Sequence, residues 1–320
     1  MNKGKAFDHD VTARTEGIMA FVERHFPALS ERLINAYIKN VQDSNYTLRP
    51  EWNLWPARSF REAVPIVSDD IVRCLEEGSV TSVVGVKEVI GPNTVELTDG
   101  TRLEVDTIIY CTGYRTDYSL LDESVDPCRE TAGWASTPGV KDHPLPQLYQ
   151  NIFSLDYPDS LALMGCAIFP APAFQIYDLA SMAIAQVWSG KYKLPPVEEM
   201  RRAADKHVEI VRGIAADRGV LNPGWVSGPE WMAWANEVAG TGVDRYLGWG
   251  WEGIWFWLTN WRLCWMLMGG VFSPHIFRVF ETGKRRRWEE AVEEIVRVND
   301  RVNEAARAAK AAKASEDGKV

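Results

Sequence analysis

Val105-Asp106-Thr107-Ile108-Ile109-Tyr110-Cys111-Thr112-Gly113-Tyr114 is a run of mostly apolar and β-branched residues that stops abruptly at Cys-Thr-Gly-Tyr. The pattern predicts a core strand of a parallel sheet, covered on both faces and therefore apolar throughout. In open α/β sheets, strands of this kind end at ligands. Gly113 would let the chain turn sharply and let a flat ligand approach the backbone. Thr112 could donate or accept a hydrogen bond at the carboxyl end of the strand. A tight turn with no ligand fits the same residues equally well.

Outward from this run, Thr94–Leu97 and Leu103–Val105 flank Thr98-Asp99-Gly100-Thr101. Asp-Gly between two apolar runs is a strong hairpin signal. Val80–Val89 reads as a further strand, so the order is hairpin, core strand, glycine turn. Upstream, Phe21, Val22, His25, Leu29, Leu33, Ala36, Tyr37 and Val41 approximate helical spacing within residues 7–42, with Pro27 as the break. Downstream, Leu161–Gly165 reads as a second short core strand. Phe174–Trp188 reads as a helix with Ile176, Leu179, Ala180, Ala183, Ile184 and Val187 on one side and Gly190 just past its end. Pro195 and Pro196 precede another helix, Val197–Ala216. Residues 285–313 form a charged helix with a narrow stripe of Trp288, Val292, Ile295 and Val302, which predicts a docked or partner-binding helix.

A chain of 320 residues has room for one large or two ordinary domains. Its net charge of -9 argues against a nucleic-acid partner. The five cysteines are odd in number with no close pair, which predicts reduced thiols rather than disulfides or zinc. The five histidines show no paired-ligand spacing, so no metal site is expected, and no G-x-S-x-G elbow occurs. The first residues lack the apolar core of a signal peptide, and the expected location is the cytoplasm. One segment, 246–272, carries six of the 14 tryptophans. Glu252 and Arg262 lie inside it and its tryptophans are spread along it rather than gathered at two ends. A buried or partner-facing aromatic region is therefore expected ahead of a bilayer span, and membrane-surface or protein contact stays open.

A literal G-x-G-x-x-G occurs at Gly248-Trp249-Gly250-Trp251-Glu252-Gly253. It does not read as a dinucleotide loop: no strand precedes it, and tryptophan fills positions where a pyrophosphate would need small residues. No other stretch offers such a loop.

Asp106-x-x-x-x-Cys111-Thr112-Gly113-Tyr114 resembles the linker of flavin-containing monooxygenases, where the chain passes from the NADPH domain back into the FAD domain. Further blocks fit the same family in order. Asn45-Tyr46-x-Leu48 with Pro65-Ile66-Val67-x-Asp69-Asp70 precedes the linker, and Leu121-Asp122-Glu123-Ser124 follows it. Asp178-Leu179 with Ala185-Gln186-Val187 and Gly190 resembles the helix under the flavin domain, and Ser273-Pro274 with Phe277-Arg278 the closing motif. Together they cover roughly residues 35–280.

The resemblance implies an α/β protein with an incomplete pair of dinucleotide-binding, Rossmann-like flavoprotein domains and added C-terminal helices. Residues 1–113 would hold a helical segment and the end of the NADPH domain, 114–280 the end of the FAD domain, and 281–320 a charged helical tail. It implies FAD and NADP as cofactors, and oxygenation of a small soft nitrogen or sulfur nucleophile by a flavin hydroperoxide. Thr112, Gly113 and Tyr114 are placed near flavin, and Asp178 is assigned to the cofactor or to capping its helix; no residue is assigned to catalysis. The family's two G-x-G-x-x-G loops are absent from this sequence. The chain thus corresponds to the C-terminal portion of such an enzyme, or to a truncated, non-catalytic member or partial gene product acting as an interaction module.

Overall fold

The structure is a computed structural model that describes residues 12–317 except 56, 58, 60–65, 67, 69, 112–116, 130–133, 139, 141–143, 170 and 219–223. It is a mixed α/β molecule of small sheets and many helices, and it divides into two compact units, residues 31–115 and residues 1–30 with 116–320.

In the smaller unit, helix α3 (Ile71–Glu77) precedes strands β1 (Val86–Val89), β2 (Thr94–Leu97) and β3 (Arg102–Glu104). The strands form an antiparallel meander in the order β1-β2-β3. The β2–β3 turn is the expected hairpin: Gly100 takes φ +85, and the Asp99 carboxylate accepts from the Thr101 N–H at 2.9 Å. Strand β2 turns Val95 and Leu97 inward and Thr94 and Glu96 outward, the period-two alternation of a half-covered strand. Trp52, Val72 and Leu75 make a small core lined by Tyr46 and Leu48.

The run 105–111 departs from its reading as a core strand. None of these residues is in a strand, and Ile109 and Tyr110 are 80% and 78% exposed. A parallel core strand needs hydrogen-bonded neighbours on both edges and cover on both faces. Val105 N–H bonds Asn93 O at 2.7 Å on one edge, and the described residues supply neither to the rest of the run. Its β-branched composition expresses a preference that only those neighbours could realise. Similarly, Val80–Val89 narrows to β1.

The larger unit is mostly helical. Helix α1 (Ala13–His25) opens with a capping box in which the Thr12 and Thr15 side chains each bond the other's backbone N–H. Pro27 ends the register and opens α2 (Pro27–Asn45), as its lack of an N–H favours, and from Glu31 on this helix belongs to the smaller unit. Strands β4 (Leu148–Tyr149) and β5 (Phe153–Ser154) form an antiparallel hairpin. The expected strand at 161–165 is only an irregular third edge: Ala162 bridges Phe153, and the Leu163 N–H donates to Ile152 O at 2.8 Å.

Helix α4 (Ala173–Trp188) buries Ile176, Leu179, Ala180, Ala183 and Val187, the stripe its spacing predicts, and Gly190 closes it at φ +72. It packs on α6 (Gly228–Ala239), whose Trp231 is 2% exposed and meets Phe169 and Trp234 at ring distances of 5.5 and 6.1 Å. Helix α5 (Val197–Arg218) covers β4. Helices α7 (Val243–Tyr246), α8 (Trp251–Thr259) and α9 (Trp261–Gly269) follow, and α10 (Ala291–Asp317) docks on the 3-10 turn Pro274–Arg278. Its buried stripe is Ala291, Ile295, Val302 and Ala306. Alanines therefore define the face more than Trp288 and Val292, which stay partly exposed.

Candidate functional site

Thr112, Gly113 and Tyr114 lie outside the described residues. Asp178, the fourth residue assigned to the cofactor, sits in the second turn of α4, so it does not cap the helix; the N-cap position is held by Pro172 with no side-chain bond. Its carboxylate faces Arg278 of the closing motif. Arg278 Nη2 donates to Asp178 Oδ1 at 2.6 Å and Nη1 bonds the other oxygen, a two-pronged pair of part-buried side chains. These hydrogen bonds hold the Arg278 guanidinium above its usual range against the opposing pull of desolvation. Arg285 lies behind it, its Nη2 on Phe277 O, and burial and the neighbouring Arg278 push its ionisation down. The pair thus locks the turn at 274–278 onto α4.

The segment from 161 to 180 has the order strand edge, glycine turn, helix. Gly165 takes φ +90, where a side chain is strained. The N–H groups opening α4 follow, a place where charge of negative sign is favoured. Beneath the turn is a cavity of about 10 Å³ lined by Asn151, Gly165, Ile176, Tyr177 and Trp231, among others. That is room for one water, not for a flavin ring.

A polar knot braces the same turn. Gln150 and Asn151, at the centre of the β4–β5 turn, both take φ +55, and the Ile152 N–H closes it on Tyr149 O at 3.1 Å. Asn151 is buried, and its Nδ2 donates to Cys166 O at 2.9 Å and faces His207 Nε2 at 3.2 Å. Donation to that nitrogen requires His207 to be neutral with its proton on Nδ1. The Tyr118 hydroxyl lies 3.6 Å from Cys166 Sγ. Burial pushes the Cys166 thiol up and, together with Asp126, takes Cys128 up to about 12, which favours the protonated thiol over the nucleophilic thiolate at both. The knot leaves little trace in the sequence. Gln-Asn between the apolar pairs Leu148-Tyr149 and Ile152-Phe153 was the available signal, and His207 alone offered none.

The literal G-x-G-x-x-G is packed, not open. A Cβ on Gly248 would lie 2.2 Å from Asp244 O and one on Gly253 2.0 Å from Gly248 O. The preceding element is α7, a helix rather than a strand, so these glycines serve the corner between α7 and α8.

Compared with known proteins, the chain matches the flavin-binding monooxygenase-like family over residues 2–319. The chain belongs to that family. It is 41% identical to monooxygenase aurF of Gibberella zeae over 299 residues, 93% of this chain and 56% of the relative. It is 25% identical to flavin-containing monooxygenase 3 of Oryctolagus cuniculus over 248 residues, 76% of this chain and 42% of the relative. With 4-hydroxybenzoate brominase (decarboxylating) of Pseudoalteromonas luteoviolacea it shares 26% identity over 181 residues, 55% of the chain and 31% of the relative. The chain thus spans about half the length, or less, of these relatives.

Membership of a family of flavoprotein monooxygenases brings FAD and NADP with it, and the described residues can be set against that demand. A dinucleotide pyrophosphate needs an open glycine turn between a strand and a helix. Gly248 and Gly253 are filled by backbone, and the cavity under Gly165 admits one water. Neither of these two glycine turns of this flavin-binding monooxygenase-like chain therefore offers the open cradle that a dinucleotide pyrophosphate needs. Among them there is also no cluster of metal-ligating side chains.

Proposed function

We propose that this chain is the C-terminal portion of an NADPH- and O₂-dependent flavin monooxygenase that oxygenates a small soft nitrogen or sulfur nucleophile, with FAD and NADP as cofactors. Its fold is then an incomplete pair of Rossmann-like dinucleotide domains, and it works in the cytoplasm or on the face of a membrane. The family match along residues 2–319 carries this reading. The ion pair joining two of the resembling blocks, Asp178 and Arg278, supports it from the structure. The phosphate loops come from outside this sequence.

The test compares the purified chain with the chain joined to, or co-expressed with, a polypeptide bearing two G-x-G-x-x-G loops. The chain alone stays colourless with excess FAD. The combination retains yellow flavin and consumes NADPH in proportion to a thioether or tertiary amine oxygenated. A combination that stays colourless overturns the reading. A second reading, a non-catalytic member acting as an interaction module, is favoured by the backbone packed against Gly248 and Gly253. It predicts flavin-free material in both samples and a stable partner complex in light scattering.

A further inference from the structure

Helices α8 and α9 reverse the usual arrangement of a surface helix. On α8, Trp251, Ile254, Trp255 and Leu258 follow the i, i+3, i+4, i+7 stripe that normally faces a core, yet all four are exposed, Trp251 at 72%. On α9, Trp261 and Trp265 are exposed as well, at 58% and 63%. The inward sides are apolar as well, with Gly253, Cys264 and Leu267 buried. Helices apolar all round belong in a core or in lipid. Each of these has nine residues, about 14 Å long, too short for a hydrocarbon layer of about 30 Å. Among the described residues no helix is long and apolar enough to cross a membrane.

The charges around the face include both signs, with cations in excess. Its acid, Glu252, is paired with Arg245 at 3.2 Å. Arg262 lies 5.3 Å from the Trp261 ring centre and Arg14 lies 4.5 Å from that of Trp265. Three guanidiniums against two carboxylates, Glu252 and the Asp300 that lines the groove beside Trp265, leave the rim net cationic on a chain whose net charge is -9. Tryptophan prefers the boundary between headgroups and acyl chains, and guanidiniums beside it reach anionic headgroups.

We propose that the outward face of α8 and α9 lies on the surface of an anionic lipid bilayer, tryptophans in the boundary and arginines among the headgroups. A second copy of this chain fits less well, because a two-fold pairing brings the two cationic rims together. The proposal stands apart from the flavin reading, which its failure leaves untouched.

The test is flotation of the full chain with vesicles of phosphatidylcholine alone or with added phosphatidylserine. The chain floats with the anionic vesicles, less so in high salt. Its tryptophan emission shifts to the blue and is quenched by brominated acyl chains. Trp255→Ser or Trp261→Ser each lowers partitioning by on the order of tenfold. Arg262→Gln lowers the preference for anionic vesicles about fivefold. These side chains are exposed, so circular dichroism stays unchanged; should a variant misfold, quenching of the unaltered chain by brominated lipid still decides. No flotation and no quenching at low salt overturns the proposal. So does flotation that all three substitutions leave intact, or a dimer that the tryptophan variants dissolve in a chain that never floats.

Discussion

Arg278 grips Asp178 with both ends of its guanidinium across 100 residues of chain. The two side chains are 29% and 24% exposed, so neither charge is well hydrated without the other. Asp178→Asn leaves the guanidinium half-buried without its countercharge and is expected to cost about 2 kcal/mol in chemical denaturation. Arg278→Lys keeps the charge but loses the fork, and costs about 1 kcal/mol. A double-mutant cycle should return a coupling above about 0.5 kcal/mol. Additive losses would mean that the pair does not lock the 274–278 turn to α4.

Asn151 combines two demands, a left-handed backbone and a buried amide that bonds Cys166 O. Two substitutions separate them. Asn151→Gly keeps the backbone free and loses the side-chain bonds, at about 1–2 kcal/mol. Asn151→Val loses the bonds and also forces a β-branched residue to φ +55, which adds about 1–2 kcal/mol. Equal losses for the two variants would place the whole effect in the hydrogen bonds.

What could be read from the sequence was local. The break at Pro27, the hairpin at Asp99-Gly100 and the buried stripe of α4 each depend on residues a few positions apart, and each is present. Features set by distant partners were not readable. Asp178 reads from the sequence as a helix residue, but nothing near it indicates Arg278. The tryptophans of 246–272 read as either buried or partner-facing, and local spacing does not choose between the two; the structure turns them outward, which removes the buried alternative. Of the candidate site, Thr112, Gly113 and Tyr114 came from the resemblance alone, and the Asn151–His207 contact depends on a pairing 56 residues apart.

Glu16, in the first turn of α1, has its carboxyl raised from 4.5 to about 7, chiefly by burial and further by Glu23. A carboxyl whose folded value lies above its unfolded one favours the fold while protonated. That contribution is complete below about 4.5 and is lost as pH rises through about 7. Glu16→Gln removes the titration. The melting temperatures of the two proteins should coincide at the acid end and separate between these values. Above them the variant should be higher by roughly 2–4 °C, equivalent to about 1 kcal/mol after discounting for partial exposure. A constant gap at every pH would show that Glu16 ionises normally.

Ile109 decides how the run at 105–111 is held in this chain. As a core-strand residue it would lose about 2–4 kcal/mol on truncation to alanine. In the structure it is 80% exposed beside Tyr110 at 78%, with no strand neighbour among the described residues. Ile109→Ala is therefore expected to change the stability of the isolated chain by less than about 0.5 kcal/mol. The same substitution should become costly when the family's glycine-loop segments are joined to this chain, because a strand that gains neighbours on both edges buries that side chain. Chemical denaturation of the two proteins, each with and without the substitution, measures the difference. A large loss in the isolated chain would mean that the run is already a buried strand there, and the loop-bearing segments would then not be needed to complete it.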